Sequence, residues 1–386
     1  MKFRVSKDSI EKSMSRIEAI VPARDMQTLL SNVLLTLDKN KLSITASDME
    51  STVKISMDAA ESENGQLIVR AKKLSEIAKQ LNSDELVFNA KTVEKDENDD
   101  SSETYYNIQI EGTGTKAAKF RMTGGDRSHF PDLNKIEDNK LSSIPTNIIS
   151  EMLQKTMYSI SHEDNRYIYN GIYFSANGSK LTLVGTDGRR LAAVQRDVPN
   201  PVNLAGDSEE EYDIVVHAKA VRELQRILDA DDTMNIGIEQ RDIFFRVGDA
   251  ELSSRLLEGK FPDYKKVIPE TAEIKFSIER KIILDALQQI MVMTEPPSHQ
   301  VKLFLTNDNL EISANTPDVG EAEISIPVEY KGEELEIGFN ALYLTDILKN
   351  LNCEKINVEL NDSSKPIVIK DNDDPGFVSL VMPMKI

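Results

Sequence analysis

Only one cysteine, Cys353, occurs among the 386 residues. That excludes an intramolecular disulfide and any cysteine-built zinc site within one chain, so the fold stands on its apolar core. No run approaches the roughly 18 to 20 consecutive apolar residues that a membrane span needs, and the opening MKFRVSKDSIEKS lacks the apolar stretch of a signal peptide. A cytoplasmic protein without a membrane partner is expected. Cations are outnumbered, 46 Lys and Arg against 65 Asp and Glu, for a formal charge of −19. Such an excess disfavours nonspecific attraction to nucleic acid or anionic lipid over most of the surface. Screening confines charge effects to about 8 to 10 Å, so a local basic strip remains compatible with it. The 40% hydrophobic and 29% charged content is ordinary for a folded chain, and the length predicts two to three globular units.

Chemistry is scarce as well. The four histidines, His129, His162, His217 and His299, are scattered, and none has a second histidine at the spacing of a zinc ligand pair. No nucleophile elbow or Walker loop occurs; GTGTK from Gly112 lacks the second glycine and the Lys-Ser/Thr pair, and reads as a hairpin turn. The segment SHED from Ser161 is the nearest approach to a catalytic set. No cofactor and no metal are therefore expected, and an enzyme is unsupported by motif, although the residues alone leave open a hydrolase built near His162 and a repeat scaffold that binds only proteins.

What is present is repetition, at a period of roughly 130 to 140 residues. KLSITASDMES from Lys41, KLTLVGTDGRR from Lys180 and NLEISANTPDV from Asn309 match. So do LIVRAKKLSEIAKQL from Leu67, DIVVHAKAVRELQRIL from Asp213 and LEIGFNALYLTDILKNL from Leu335. The first two copies also share a closing phrase, HFPDL from His129 and KFPDYKKV from Lys260. Helical spacing marks Ile10, Met14 and Ile17; Leu74, Ile77, Ala78 and Leu81; Leu224, Ile227 and Leu228; and Leu344, Ile347, Leu348 and Leu351. Short alternating segments such as Leu42 to Thr45, Asn107 to Ile110 and Ile356 to Leu360 predict half-buried strands. Each repeat then holds about two helices and eight short strands, an α+β unit with a mixed antiparallel sheet and helices on one side. The boundaries fall at 1–135, 140–268 and 272–386.

Opposite the apolar faces the helices carry cations: Lys219, Arg222 and Arg226; Lys72, Lys73 and Lys79; Lys7, Lys12 and Arg16; and Arg280 with Lys281. Three homologous units side by side would join these into one basic surface, suited to a phosphate backbone without base reading. The acidic tracts EKDENDDSSE (94–103) and GDSEEEYD from Gly206 read as solvated loops.

From MKF to VMPMKI, and most specifically in RYIYNG from Arg166, VGTDGRRLA from Val184, KFPDYKKVIP from Lys260, EIGFNALYL and the terminal Val381 to Met384, the sequence resembles the bacterial sliding-clamp family, the beta subunits of DNA polymerase III. The resemblance implies three clamp domains, each two helices packed on antiparallel sheets, forming half of a closed ring. Two chains would join head to tail around duplex DNA, without sequence specificity, and tether the replicative polymerase alpha subunit. Further implied partners are the clamp loader and clamp-motif proteins of repair and translesion synthesis. It assigns peptide binding to Tyr169, Thr186, Gly188, Arg189, Arg190, Leu191, Pro262, Lys266 and Val267 on one wall. Tyr330, Ser364, Pro366, Val381, Met382, Pro383 and Met384 form the other. Methionine and proline suit an adaptable apolar floor, and arginine suits peptide carbonyls. An ordinary buried end strand is the alternative for the terminus. DNA binding falls to Arg24, Lys72, Arg166, Tyr167, Lys219 and Arg222, with Glu163 weakening the local field. The dimer interface falls to Phe120, Val292 and Met293, which the residues alone also allow as core. Three departures stand out: Arg189 replaces a frequent histidine, which shifts preference toward acidic peptides; Tyr169 is bulkier than a frequent leucine; and EPPSHQV from Glu295 replaces a phenylalanine-arginine-glycine run.

Overall fold

The computed structural model of the chain describes residues 1–18, 20–21, 30–93, 104–113, 118–161, 163–204, 212–317 and 319–386. Arg24, His162, the 94–103 tract, most of the tract from Gly206 and the core of GTGTK lie outside the described residues, and Arg166 is described in its backbone alone.

Six helices recur in pairs among the described residues: α1 (Lys7–Ile17), α2 (Ala71–Gln80), α3 (Thr146–Thr156), α4 (Ala218–Ile227), α5 (Arg280–Ile290) and α6 (Ala341–Lys349). Their apolar spacing sets the buried side. Ile10, Met14 and Ile17 of α1 are buried, as are Leu74, Ile77 and Ala78 of α2, and the two helices pack on each other. Ends are capped locally: Ser6 accepts the Ser9 amide at the start of α1, and Asn340 accepts the amides of Leu342 and Tyr343 at the start of α6. No helix among the described residues is long and apolar enough to cross a membrane.

The described residues form two compact units, and the strands of the middle repeat are divided between them. The first unit holds the first repeat together with Ser142–Pro145, most of α4 and the strands from Thr233 to Arg255. Its thirteen strands form one antiparallel sheet. The continuity depends on a seam in which Ser51–Asp58 pairs with Ala250–Arg255, Ile55 opposite Ala250 and Ser51 opposite Ser254. Alternation along Ser51–Asp58 buries every second side chain, as one core-facing surface requires.

The second unit holds α3, the strands from Gly171 to His217 and the third repeat. An eight-stranded sheet there has a corresponding seam, with Arg190–Asp197 against Asp374–Val381, Arg190 opposite Val381 and Val194 opposite Phe377. A four-stranded sheet orders Gly320–Pro327, Asn309–Thr316, Gln300–Thr306 and Leu335–Asn340. One end of the seam is held by a closed set of ion pairs. Lys155 reaches Asp374 at 2.6 Å and Glu151 at 2.9 Å, and Arg196 reaches the same two carboxylates at 2.5 and 2.7 Å. Gly376 lets the backbones meet: a Cβ there would lie 2.5 Å from the Gln195 carbonyl oxygen.

Candidate peptide groove and basic helix faces

At the other end of that seam the second unit builds an aromatic floor. Phe261 stacks on Tyr173 at 4.9 Å and takes the edge of Tyr169 at 6.2 Å, over buried Val184, Leu191, Val215, Val368 and Leu380. Burial, and then a hydrogen bond with Asp213, pushes the Tyr173 hydroxyl pKa upward, so it stays protonated. The phrase KFPDYKKV explains the placement: Phe261 and Tyr264 turn inward onto the sheet, while Pro262, Lys266 and Val267 stay exposed at the rim.

The turn from Thr186 to Arg190 forms one lip. Thr186 Oγ1 donates to the Arg190 carbonyl at 2.7 Å and accepts the Gly188 amide at 3.1 Å, and Gly188 has φ +81, which suits glycine. Asp187 accepts the amides of Arg189 and Arg190. The terminal segment forms the other lip. Val381 and Leu380 are buried in the sheet, Met382 donates its amide to the Arg189 carbonyl at 2.8 Å, and Met384 donates to the Gly338 carbonyl at 2.8 Å. The Met-Pro-Met run is therefore a strand end that leaves the sheet, with Met382 exposed and Pro383 and Met384 half-buried.

Not every expected wall residue has the expected freedom. Arg190 is buried, bonds Asp187 at 3.1 Å and Asp346 at 2.6 Å, and lies 4.4 Å over the Tyr343 ring. Its guanidinium is committed inside the protein, so the expectation that it holds peptide carbonyls is corrected. Arg189 is half exposed, 4.0 Å from Glu163, and its guanidinium pKa is raised first by a hydrogen bond with Tyr343. These two arginines, Ile160, Ser161, Glu163, Asp187 and Tyr343 line a cavity of about 230 Å³. Tyr330 is buried, with its hydroxyl on the Glu333 carbonyl and its ring edge-on to Phe276; Pro366 is buried; and Ser364 is exposed with its hydroxyl on Asp362. The sequence reading did not name Tyr173, Phe261, Tyr343 or Asp346 as site residues, although Phe261 and Tyr343 lie in the quoted phrases KFPDYKKVIP and EIGFNALYL.

Among the cations, Lys72 and Arg222 are exposed, and Tyr167 is 55% exposed. Lys219 differs: its ammonium is bonded to Asp48, a carboxylate from the first repeat. Arg280 differs too, because it donates to the carbonyls of Leu348 and Cys353 at the end of α6. Other stripe lysines have nearby carboxylates, Lys73 with Glu76 at 2.7 Å and Lys12 with Asp8 at 2.7 Å. Beneath Arg222 and Arg226, Glu223 is buried, and burial raises its carboxyl pKa against the pull of Arg226, Lys219 and Arg222.

Val292 is 74% exposed, which removes it from the core, while Phe120 and Met293 are half-buried. The departing loop after α5 closes through a cis Pro296–Pro297 bond, His299 at φ 39 and a hydrogen bond from the His299 amide to the Glu295 carbonyl. In SHED, Ser161 is buried and its hydroxyl accepts the Glu163 amide at 3.1 Å. No group of metal-ligating side chains occurs among the described residues.

Three family models match in succession: DNA polymerase III beta subunit N-terminal domain over residues 1–105, central domain over 143–263, and C-terminal domain over 265–385. The beta sliding clamp of Pseudomonas aeruginosa is 30% identical over 396 residues, covering 100% of both chains, and that of Escherichia coli K12 is 28% identical over 392 residues, again covering 100% of both. The crystal structure of the DNA polymerase sliding clamp from Bacillus subtilis superposes with a TM-score of 0.90 at 25% identity, covering 100% of this chain and 99% of that one.

Proposed function

The chain belongs to the DNA polymerase III beta subunit family, and from that premise we propose that it is a sliding clamp: a head-to-tail homodimeric ring that encircles duplex DNA and tethers the replicative polymerase. The observation that carries the ring is a rule of strand pairing. The fourth strand of the first repeat, Ser51–Asp58, pairs with the last strand of the second, Ala250–Arg255. The fourth strand of the second repeat, Arg190–Asp197, pairs with the last of the third, Asp374–Val381. Two members of the series are left over. Gly320–Pro327 ends its sheet, and Lys119–Gly125 meets its second neighbour only at Gly125. Unpaired edges invite another chain, and joining these two extends the rule to a second copy through a heterologous contact that closes when two copies complete the circle. Val292 and Val319, both exposed, and Met293, whose sulfur would lie 3.8 Å from a Cβ on Gly320, supply apolar surface at one edge; Phe120 supplies it at the other.

In this reading the domains run 1–135, 140–268 and 272–386. Lys72 and Arg222, with Arg24, Arg166 and Tyr167, contact phosphates, and Lys219 acts from behind by fixing α4. Retention is topological, so each phosphate contact is weak and mobile. The groove between the Thr186–Arg190 turn and the Val381–Met384 end takes linear motifs of the polymerase alpha subunit, the clamp loader, and repair and translesion proteins, with apolar side chains seated by Tyr169, Leu191, Pro262, Val267, Met382 and Met384. Lys266, Tyr330, Ser364 and Pro366 complete its surroundings. The protein works in the cytoplasm and catalyses nothing itself. Sedimentation and retention on nicked circular DNA, before and after linearisation with a loader present, test the whole reading. A dimer held on circles and lost on cutting is expected; a stable monomer, or retention indifferent to DNA ends, refutes it.

A further inference from the structure

We propose that the outward sheet face of the first unit is a second peptide site, which takes an extended acidic segment of a partner protein. This goes beyond the motif groove and rests on the first unit alone. The backbone frame of the motif groove is repeated there. Ser47 Oγ donates to the Ser51 carbonyl at 3.3 Å and accepts the Met49 amide at 3.3 Å, while Asp48 accepts the amides of Glu50 and Ser51. These are the bonds made by Thr186 and Asp187 in the second unit. The chain leaving the seam is also held alike, with the Arg255 amide on the Glu50 carbonyl at 2.9 Å where Met382 bonds Arg189 at 2.8 Å.

The side chains on this frame differ. Phe130 and Leu133 cover only one end, over Leu34 and Ile68, and leave a cavity of about 580 Å³ beside them. Its floor is hydroxylated: Ser43 and Ser56 share a hydrogen bond at 2.9 Å, and Gln66 donates to Thr36 at 3.4 Å. Around it stand Lys41, Lys54, Arg127 and Lys135 against Asp38 and Asp132. Lys41 pairs with Asp249 and Arg127 with Asp132, whereas Lys54 and Lys135 have no ion-pair partner among the described residues. In a chain of net charge −19 the cavity lining itself carries two more cations than carboxylates, with Asp249 beside Lys41 and Glu251, bonded to Arg246, across the strand pair from Lys54. Lysines over hydroxyl donors suit carboxylate side chains, and the polar floor offers nothing to the apolar side chains of a linear clamp motif. Nucleic acid is the poorer fit, because among the described residues no aromatic ring lines the cavity for bases to stack on.

The test is fluorescence anisotropy of the full chain with a labelled synthetic peptide of alternating glutamate and serine at physiological salt. Saturable binding is expected, weakened about tenfold or more in Lys54→Glu/Lys135→Glu and less in Lys54→Gln/Lys135→Gln, as charge complementarity requires. Binding of a clamp-motif peptide should be unchanged in both variants, which separates this site from the motif groove and reports that they fold. Absence of saturable binding to the parent chain, or equal binding by the charge-reversed variant, overturns the proposal. A thymidine oligonucleotide of equal charge that binds as tightly, and is lost in the same variant, overturns it in favour of general anion attraction.

Discussion

The pair Lys219–Asp48 offers the sharpest check on how the basic stripe of α4 is used. Lys219 retains 32% of its side-chain exposure and Asp48 11%, so the pair is neither a surface contact nor a fully buried one. Exposed pairs contribute about 0 to 1 kcal/mol. Removing one member of a buried pair costs about 3 to 5 kcal/mol. Asp48 keeps the amides of Glu50 and Ser51 when the ammonium is gone, which offsets part of the desolvation. Loss of Lys219 should therefore cost about 1 to 2 kcal/mol. A double-mutant cycle with Lys219→Met and Asp48→Asn, followed by urea unfolding, should return a coupling of that size, since the two side chains are in contact. DNA retention should respond differently. Lys219→Met leaves the salt dependence of retention as it was, whereas Arg222→Ala lowers the slope by about 0.9 for each phosphate that is no longer neutralised. A coupling near zero, together with a reduced salt slope for Lys219→Met, would show that Lys219 meets phosphate and does not serve to fix α4.

Other outcomes follow from single sites. Burial raises the Glu223 carboxyl pKa above its ordinary 4.5, so the folded state binds more protons and stability falls as pH rises from 4.5 through the folded value; Glu223→Gln should remove that fall and raise the urea midpoint at pH 7. Asp374 behaves oppositely: burial raises its pKa, but hydrogen bonds from Arg196 and Lys155 more than reverse this, and Glu151 is lowered first by Arg196. Their contribution is complete above about pH 4.5 and lost as pH falls through the lowered folded values, so Asp374→Asn should flatten the acid limb of a urea-midpoint profile. Val292→Asp places a charge on a 74% exposed apolar position and should convert the dimer to monomer in sedimentation without lowering helix content. Gly338→Ala puts a Cβ 2.9 Å from the Met384 carbonyl oxygen; the terminal segment must move, and motif-peptide affinity measured by calorimetry should drop about tenfold while the dimer persists.

Periodicity carried much of this architecture. Ile10, Met14 and Ile17, and Leu344, Ile347 and Leu348, have a helical spacing that only one buried face explains, and both sets are buried on helices. The closing phrases HFPDL and KFPDYKKV were legible as a match between two repeats, but not the role of their phenylalanines: Phe130 is buried with Leu34 and Ile68, and Phe261 with Tyr173, Val184 and Leu191. The partners of charged side chains were not legible. Asp48 and Lys219 are 171 positions apart, and Arg190 and Asp346 are 156 apart, with no local pattern linking them. A stripe of cations on a helix has the same spacing whether its members face solvent or a distant carboxylate, so Lys219 and Arg280 read as free charge until the packing is seen. Ser161 is similar: SHED has the composition of a site, but the burial that turns its hydroxyl onto the Glu163 amide depends on the surrounding fold.

The two seams show how one backbone frame acquires separate duties. In each, an aspartate holds a tight turn through two amides and also receives a cation, yet the cation comes from a different place. Asp48 receives Lys219 of the following repeat, which directly fastens the turn to α4. Asp187 receives Arg190 from its own turn, and Arg190 passes the connection on to Asp346 of α6. The second arrangement needs a longer, planar cation that can bond two carboxylates and lie on a ring, which arginine provides and lysine does not. The turn residue differs as well: Gly188 stands at φ 81 where the first seam has Met49 in a left-handed conformation at φ 77. Such a conformation costs a non-glycine residue about 1 to 2 kcal/mol. Gly188 immediately precedes Arg189, whose carbonyl accepts the Met382 amide at 2.8 Å, so the glycine stands within the lip of the motif groove, while the first seam, with its polar floor, has methionine at the same place. Gly188→Met should therefore weaken motif-peptide binding more than it lowers the urea midpoint, and an equal effect on both would make the glycine a requirement of the turn alone.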